Sequence, residues 1–215
     1  MTANEICSQC QKPANLCVCA ALTPLDNRVF VLILRHPQEQ DRELGTAHLT
    51  TLQLKNALMK TGLSWRNLAK ILGRPADPKR WGVLYLGTAK TAVPLPPQPL
   101  TILNRKGGVA ANQDALLKGL EGIILLDGNW QQAKALWWRN AWLLKCPRLI
   151  LQPPKPSLYG PLRKEPRRES VSTIEAAAYT LAALEKDETL ADKILPPFRL
   201  LLEKARGWTG QAKKI

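Results

Sequence analysis

The sequence is poor in acidic residues and has no long apolar run. It carries 17 Asp and Glu against 31 Lys and Arg in 215 residues, so its formal net charge is +14 and its pI is near 9.9. No apolar run approaches the ~18 residues that predict a membrane helix, and residues 1–5 lack the basic and then apolar pattern of a signal peptide. From these absences we expect a cytoplasmic protein that does not bind membranes.

Several nucleotide-binding and catalytic motifs are absent as well. The chain has no P-loop, no Gly-x-Gly-x-x-Gly fingerprint, no Ser–His or Cys–His nucleophile motif and no internal repeat. Positive charge is abundant instead, and an excess of this size attracts phosphate backbones by counterion release, whatever the sequence bound. The charge therefore favours an RNA or DNA partner without distinguishing between the two.

The alternation of apolar runs with helical segments predicts a globular α/β protein, and 45% of the residues are hydrophobic. Strands separated by helices indicate a largely parallel sheet. The proline-rich stretch 94–99 is expected to be an extended surface connection, because proline fits neither a helix interior nor an inner strand. The predicted strands are 28–34, 81–87, 101–103 (a short edge strand), 123–126 and 148–151. The predicted helices are about 41–60, 129–144, 172–187 and 189–205.

A carboxylate follows the most apolar of these strands. Four branched aliphatic residues at 123–126 predict a strand buried on both faces, and Asp127-Gly128-Asn129-Trp130 then leads into a helix. The carboxyl ends of parallel strands are where open α/β sheets bind their ligands. The alternative is that Asp127 or Asn129 only caps the helix, since both residue types are preferred caps.

Four of the five cysteines lie within 13 residues, as Cys7-x-x-Cys10 and Cys17-x-Cys19. Without an export signal the thiols should stay reduced, and close thiolate pairs suit a tetrahedral zinc site. A redox or iron–sulfur role is the alternative. A closed four-cysteine site has no open position for a substrate, so we expect a structural metal. Cys146 stands alone and is expected in the core.

Two further regions have competing explanations. Trp130, Trp137, Trp138 and Trp142 have spacings that place them on one broad helix face, which could stack on bases but more commonly packs on a sheet. The irregular segment 153–171 has a local charge excess of +3, and it is either a functional loop that meets a ligand and RNA phosphates or a solvated basic loop.

Two polar motifs also have simple structural explanations. Ser172-Thr173-Ile174-Glu175 has the form of a capping box at a helix start, so Glu175 is not assigned as a base. His36-Pro37-Gln38-Glu39 follows the first strand. Its His and carboxylate would suit acid–base work, and a strand-end histidine oriented by a hydrogen bond is an equally good explanation.

Taken together, these motifs resemble the DTW-domain family, the tRNA-uridine aminocarboxypropyltransferases. Their order and separation are more specific than any one of them, and they span residues 7–176. One position departs from the family, whose name motif has Thr where this chain has Asn129. The matching pieces are Cys7-x-x-Cys10 with Cys17-x-Cys19, His36-Pro37-Gln38-Glu39, Asp127-Gly128-Asn129-Trp130, Leu162-Arg163-Lys164-Glu165 and Ser172-Thr173-Ile174-Glu175-Ala176.

The resemblance implies transfer of the 3-amino-3-carboxypropyl group of S-adenosylmethionine to N3 of a tRNA uridine, with release of 5′-methylthioadenosine. It also implies a SPOUT-like fold with a C-terminal trefoil knot, which connectivity rules alone would not predict. The knot strands are expected near 83–87, 121–127 and 148–152. The expected domains are a cysteine-rich zinc-binding arm, 1–24, and a catalytic domain, 25–215.

The resemblance and the chemistry together assign the site residues. The uracil N3 proton is weakly acidic, so Asp127 is expected either to accept it or to hold the ammonium group of the donor. The expected catalytic residues are Asp127, Asn129 and Trp130. The expected residues binding S-adenosylmethionine are Gly87, Thr88, Asp127, Arg163, Lys164, Ser172 and Thr173. The expected zinc ligands are Cys7, Cys10, Cys17 and Cys19, and the expected RNA-binding residues are His36, Glu39, Lys134, Arg167 and Arg168.

Two rival functions stay open. A methyltransferase of the same fold would use the same donor and release S-adenosylhomocysteine, and residue spacing does not distinguish it from an aminocarboxypropyl transferase. A non-enzymatic RNA-binding protein held together by zinc would explain the charge and the cysteines. It would not explain a carboxylate at the end of a buried strand.

Overall fold

One six-stranded sheet organises the protein, seen here in a computed structural model that describes residues 5–39, 43–84, 95–104, 106–162 and 170–212. The strands are β1 (Phe30–Arg35), β2 (Ala57–Thr61), β3 (Trp81–Leu84), β4 (Leu100–Leu103), β5 (Gly122–Asp127) and β6 (Arg148–Leu151). Their order is β2-β1-β5-β3-β6-β4, and every neighbouring pair is parallel except β4 with β6. The predicted α/β class and largely parallel sheet are confirmed.

Helices cover both faces of the sheet. They are α1 (Ala47–Gln53), α2 (Leu68–Leu72), α3 (Gln113–Lys118), α4 (Trp130–Arg139), α5 (Thr173–Glu185), α6 (Leu190–Ile194) and α7 (Pro196–Ala212). Because successive strand residues point to opposite faces, Val31 and Ile33 enter the larger core while Leu32 and Leu34 enter the smaller one. This two-sided burial explains the continuous apolar runs of β1 and β5.

The helix predicted over 41–60 is confirmed only for Ala47–Gln53, which form α1. Its second half is the strand β2, which pairs in parallel with β1 so that Val31 lies opposite Ala57. The buried Asn27 side chain holds the start of this strand, because its Oδ1 accepts from the Asn56 amide at 3.0 Å and its Nδ2 donates to the Asn56 carbonyl at 3.0 Å. Pairing with a central strand therefore overrides the local helical pattern.

The remaining elements largely follow the sequence pattern. The edge strand at 101–103 and the strand at 148–151 are confirmed as β4 and β6, and the predicted strand 81–87 is β3 in its described part. The helix predicted over 129–144 ends at Arg139 and continues as a 3₁₀ turn, Ala141–Lys145. The predicted helix 189–205 is split into α6 and α7 before Pro196, because proline offers no amide to continue α6.

The tryptophans of α4 and the following turn do not share one face. Trp137 and Trp142 pack in the smaller core, at 8% and 7% exposure. Trp138 is 69% exposed, so the expectation of a single packed face is wrong for this residue. Adjacent helical positions are about 100° apart, and Trp137 and Trp138 therefore point in different directions.

The cysteine-rich arm packs onto the rest of the chain. Leu16 and Val18 are buried members of the larger core, and the Lys204 ammonium of α7 donates to the Cys17 carbonyl at 2.5 Å. The arm and the sheet therefore share one hydrophobic core. Among the helices that the structure describes, none combines the length and the apolar character required to cross a membrane.

Candidate functional site

The carboxyl ends of β1 and β5 lie side by side and bring two sequence motifs together. Arg35 lies opposite Asp127 in the parallel ladder, and the amide of the half-buried His36 donates to the Asp127 carbonyl at 2.9 Å. Behind them, Gln132 Nε2 donates to Gln38 Oε1 at 3.3 Å. The motif after β1 thus packs against the turn after β5, at the sheet edge where α/β proteins bind ligands.

The turn after Asp127 requires glycine and an N-cap. A Cβ on Gly128 would lie 2.7 Å from Gln132 Cβ, too close for any side chain. Asn129 Oδ1 accepts from the Gln132 amide at 3.0 Å, while Gln132 Oε1 accepts from the Asn129 amide at 2.6 Å, which completes a capping box. Asn129, and not Asp127, therefore caps α4.

The Asp127 carboxylate instead meets the first residue of α5. The Thr173 hydroxyl donates to Asp127 Oδ1 at 2.5 Å, and both side chains are half-buried. This short contact holds the carboxylate at the sheet edge in a fixed orientation. A half-buried, oriented carboxylate at a strand end can accept a proton from a substrate or bind a substrate cation.

The capping box that starts α5 has a second task. Ser172 Oγ accepts from the Glu175 amide at 3.3 Å, and Glu175 Oε2 accepts from the Ser172 amide at 2.9 Å, as the motif predicts. The fully buried Glu175 also accepts from the Ser157 hydroxyl and the Leu158 amide, both at 2.8 Å. Glu175 therefore fixes the loop after β6 to the helix that carries Thr173.

A third loop reaches the same helix end. The Ile174 amide donates to the buried Thr46 hydroxyl at 3.3 Å, and the buried Tyr159 hydroxyl donates to the Leu44 carbonyl at 2.6 Å. The segments before α1, after β6 and at the start of α5 are thereby joined next to Asp127.

A buried lysine links this site to the cysteine-rich arm. Lys12 is 4% exposed, and its ammonium donates to the carbonyls of Glu43 and Gly45 at 2.5 and 2.7 Å. Burial lowers the pKa of Lys12 to about 8, and the positive charge of Arg35 adds to that shift, while the negative charges of the Cys10 thiolate, Glu43 and Asp127 oppose it. The Lys12 ammonium thus holds the arm against the loop before α1, and the same loop contacts the start of α5 through Thr46.

The four cysteines of the arm form a compact cluster. The Sγ atoms of Cys7 and Cys19 are 3.5 Å apart, those of Cys10 and Cys17 are 3.8 Å apart, and all four lie within 4.8 Å of one another. Zn–S bonds of about 2.3 Å in a tetrahedron place the sulfurs about 3.8 Å apart. The donor set and its spacing therefore fit a structural zinc ion.

The backbone around the first cysteine pair favours the thiolate that a metal needs. Hydrogen bonds from the amides of Cys10 and Gln9 lower the pKa of Cys7 to about 6. The same turn is closed by the Cys7 amide, which donates to the Lys12 carbonyl at 2.8 Å. The Cys-x-x-Cys spacing thus produces the turn and a lowered pKa at Cys7, whereas burial raises the pKa of Cys10.

The other predicted site residues are placed as follows. Trp130 is half-buried at the start of α4, Lys134 is exposed on the same helix, and Glu39 is buried at 9% exposure, so that little of its side chain could meet an RNA. The roles assigned to these residues stay predictions. Six predicted residues lie outside the part of the chain that the structure describes: Gly87, Thr88, Arg163, Lys164, Arg167 and Arg168.

Lys12 and Thr46 were not predicted from the sequence as part of this region. Neither belongs to a motif, and a lysine between two cysteines is normally solvated. The loop function of Glu175 was also missed, because a capping box explains the local pattern completely. Only the contacts with residues more than 15 positions away reveal it.

Curated relatives align with most of the chain. It is 27% identical over 201 residues to a protein of Macaca fascicularis named tRNA-uridine aminocarboxypropyltransferase 2. The aligned region covers 91% of this chain and 61% of that protein. It is 28% identical over 205 residues to the Drosophila melanogaster protein of the same name, covering 91% and 72%. For tRNA-uridine aminocarboxypropyltransferase A of Arabidopsis thaliana the identity is 28% over 206 residues, covering 85% and 74%. The chain therefore spans about three fifths of the macaque protein.

The DTW domain matches residues 4–206 of this chain. That range includes the cysteine cluster, the end of β5 with Asp127 and the helix start with Thr173. No solved structure matches the chain significantly. The match over nearly the whole sequence shows that the protein belongs to the DTW-domain family.

Proposed function

We propose that the protein transfers the 3-amino-3-carboxypropyl group from S-adenosylmethionine to N3 of a uridine in tRNA, releasing 5′-methylthioadenosine. The observation that carries the proposal is the Asp127 carboxylate, which lies at the carboxyl end of β5 and is oriented by Thr173. Membership of the DTW-domain family and the names of its relatives support the same reaction. The net charge of +14 suits a polyanionic substrate such as tRNA. We propose that the protein meets this substrate in the cytoplasm.

The chemistry requires one proton acceptor. The Asp127 carboxylate accepts the N3 proton of the uracil. The resulting anionic nitrogen attacks the methylene carbon of the aminocarboxypropyl group that is bonded to the sulfonium sulfur. The new N–C bond forms as the C–S bond breaks, and its electron pair remains on sulfur as a neutral thioether. No general acid is needed, because the leaving group carries no charge. The Thr173 hydroxyl holds the carboxylate in position.

The donor's own charged groups require further partners. Arg163 or Lys164 would bind its carboxylate, Gly87 and Thr88 would admit its adenosine, and the polar residues Ser172 and Thr173 would line its site. Asp127 could instead hold the ammonium group of the donor while proximity supplies most of the rate. If Asp127 is the base, loss of its carboxylate lowers kcat. If Asp127 holds the ammonium group, the same loss raises the KM for S-adenosylmethionine.

The proposed catalytic domain, 25–215, has the SPOUT-like fold with a C-terminal trefoil knot. Its expected knot strands are β3, β5 and β6, and their adjacency in the order β5-β3-β6 supports this proposal. The segments that would complete the knot include 163–169, outside the described residues. An experimental structure with bound S-adenosylmethionine would trace this path directly.

The proposed reaction is tested by its two products. Unmodified tRNA and S-adenosylmethionine are incubated with the full chain, and mass spectrometry reads the small by-product and the nucleosides. We expect methylthioadenosine together with an aminocarboxypropyl uridine. S-adenosylhomocysteine with a methylated nucleoside would instead identify a methyltransferase. The absence of both products, with tRNA still bound, would identify a binding protein.

We also propose that Cys7, Cys10, Cys17 and Cys19 hold one structural zinc ion. We expect the purified protein to contain one zinc per chain, and Cys7→Ser to lower both zinc content and thermal stability, because the arm shares the main core. Cys146→Ser is the control for zinc content, which it should leave at one per chain, because that thiol is far from the cluster in sequence and lies in the smaller core. A wild-type protein that is free of zinc and equally stable would contradict the assignment.

A further inference from the structure

The outer face of α4 presents an unusual side chain to solvent. Trp138 is 69% exposed, and it is the most exposed of the large hydrophobic residues in the described part of the chain. Its neighbours Trp137 and Trp142 are buried, so the helix already has the aromatic contacts that fix it to the sheet. Folding alone does not explain a tryptophan in this position, because exposing so large an apolar surface forfeits the stabilisation of burial.

The surroundings of Trp138 are basic. Lys134 lies one turn before it on the same helix face, and Arg139 follows it, both exposed. α4 and the 3₁₀ turn after it, residues 130–145, contain three Lys and Arg and no Asp or Glu. Among the described residues, neither Lys134 nor Arg139 forms an ion pair. Within the described ranges, no carboxylate is therefore paired with the positive charges of this face.

The helix also connects this face to the candidate site. α4 begins at Trp130, three residues after Asp127, and Trp138 lies eight residues further on. A rise of 1.5 Å per residue places it about 12 Å along the axis from Trp130. A nucleic acid strand whose uridine lies at Asp127 can therefore extend along this helix.

We infer that Trp138, flanked by Lys134 and Arg139, is a stacking platform for an unpaired base of the tRNA near the target uridine. An exposed aromatic ring among cations is the combination with which proteins hold single-stranded nucleotides, since every base has a face on which to stack. The lack of acidic residues argues against a basic protein partner. This inference rests on the proposed function for the identity of the RNA and extends it to a specific contact.

The test compares exposed substitutions in the same segment. Trp138→Ala is expected to weaken binding of unmodified tRNA to the full chain by about tenfold at fixed salt, the loss typical of one stacked base. Trp138→Phe keeps a stacking face and is expected to restore most of the affinity. Leu144→Ala is the matched control, because Leu144 is apolar and 59% exposed but has no ring. All three variants should keep the thermal midpoint of the wild-type protein.

The salt dependence of tRNA binding distinguishes the contribution of the Trp138 ring from that of the basic side chains beside it. Lys134→Gln is expected to make the slope of log K against log salt shallower by about 0.7–0.9, the contribution of one phosphate contact. Trp138→Ala should leave that slope unchanged, because no charge is removed. Both measurements read binding, so they remain valid if the wild-type protein makes no modified nucleoside and the proposed reaction fails.

Three results would overturn the inference. The first is unchanged tRNA affinity in Trp138→Ala. The second is an equal loss in Leu144→Ala, which would show that tRNA affinity depends on exposed apolar surface in general and not on a stacked ring. The third is a loss in Trp138→Ala that Trp138→Phe does not restore. Protection of Trp138 fluorescence from acrylamide by tRNA, measured as the difference between wild type and Trp138→Phe, is expected to agree with the affinities.

Discussion

Two carboxylates lie at the start of α5, and their surroundings are opposite. Glu175 is fully buried and accepts hydrogen bonds from Ser157, Leu158 and Ser172. Asp127 is half-buried at the edge of the sheet and accepts from the Thr173 hydroxyl. The comparison shows that a buried carboxylate surrounded by hydrogen-bond donors stabilises the fold, whereas a half-buried carboxylate can also react with a substrate that reaches it.

The two carboxylates are coupled through the same helix end. Glu175 fixes Ser172, and the next residue, Thr173, orients Asp127. An enclosed charge with four donors is expensive to disturb, since a hydrogen bond to a charged group contributes about 1.5–3 kcal/mol. The rigid structural carboxylate thus positions the accessible one, which is how a precise site is supported by the residues behind it.

We expect the largest effect on activity from removing the charge of Asp127, the carboxylate that a substrate can reach. Asp127→Asn keeps the size of the side chain and an oxygen that can accept from Thr173, so the fold should be unchanged. We expect kcat for tRNA modification to fall about 10²–10⁴-fold, the usual contribution of a positioned base. Mass spectrometry of the nucleoside product measures it. Unchanged modification would remove Asp127 from the catalytic assignment, and a rise in KM alone would identify the ammonium-binding role.

Substitution of the enclosed carboxylate should act on stability instead. Glu175→Gln replaces one acceptor oxygen with an amide donor that faces the donors of Ser157 and Ser172. We expect the free energy of unfolding to fall by about 2–4 kcal/mol. Urea unfolding measures this loss. The kcat of the molecules that remain folded should fall by no more than the tenfold expected of Thr173→Val, because Glu175 acts on Asp127 only through Thr173. If Glu175→Gln abolished activity without destabilising the fold, the contrast between the two carboxylates would be wrong.

The Thr173 hydroxyl connects Asp127 to the helix end that Glu175 holds, and one substitution removes it. Thr173→Val keeps the shape of the side chain and removes the donor to Asp127. We expect a loss of about tenfold in kcat, because the carboxylate is no longer oriented. The free energy of unfolding should fall by about 1 kcal/mol or less, since water can replace the lost donor at a half-buried position. Thr173→Ser keeps the hydroxyl and is expected to restore the rate. A loss in Thr173→Ser without a loss in Thr173→Val would show that the methyl group matters and not the hydrogen bond.

The smallest effect is expected beside Asp127. Asn129 caps α4, and threonine is also an accepted cap, so Asn129→Thr should change the free energy of unfolding by only a few tenths of a kcal/mol. The rate of tRNA modification should stay within about twofold of wild type. Thermal unfolding and the product assay check both values. A large gain in rate would show that the hydroxyl of the family motif takes part in the reaction.

Much of this architecture was visible in the sequence because it is local. The apolar run before Asp127 predicted a buried strand, and Ser172 with Glu175 predicted a helix start. The spacing of the cysteine pairs likewise predicted a cluster that the structure confirms. Each of these patterns is set by residues within about a dozen positions, where backbone geometry and side-chain chemistry act directly.

Contacts between distant segments decided the rest. The strand β2 has a helical pattern, and only pairing with β1 makes it a strand. Lys12 looked like a solvated lysine and is buried against a loop more than 30 residues away. Trp137 and Trp138 are chemically identical neighbours, yet one is packed and the other exposed. The sequence by itself determined which residues could form strands, caps and a metal cluster; the tertiary structure decided which charge was enclosed and which aromatic ring met solvent, because both depend on what packs opposite.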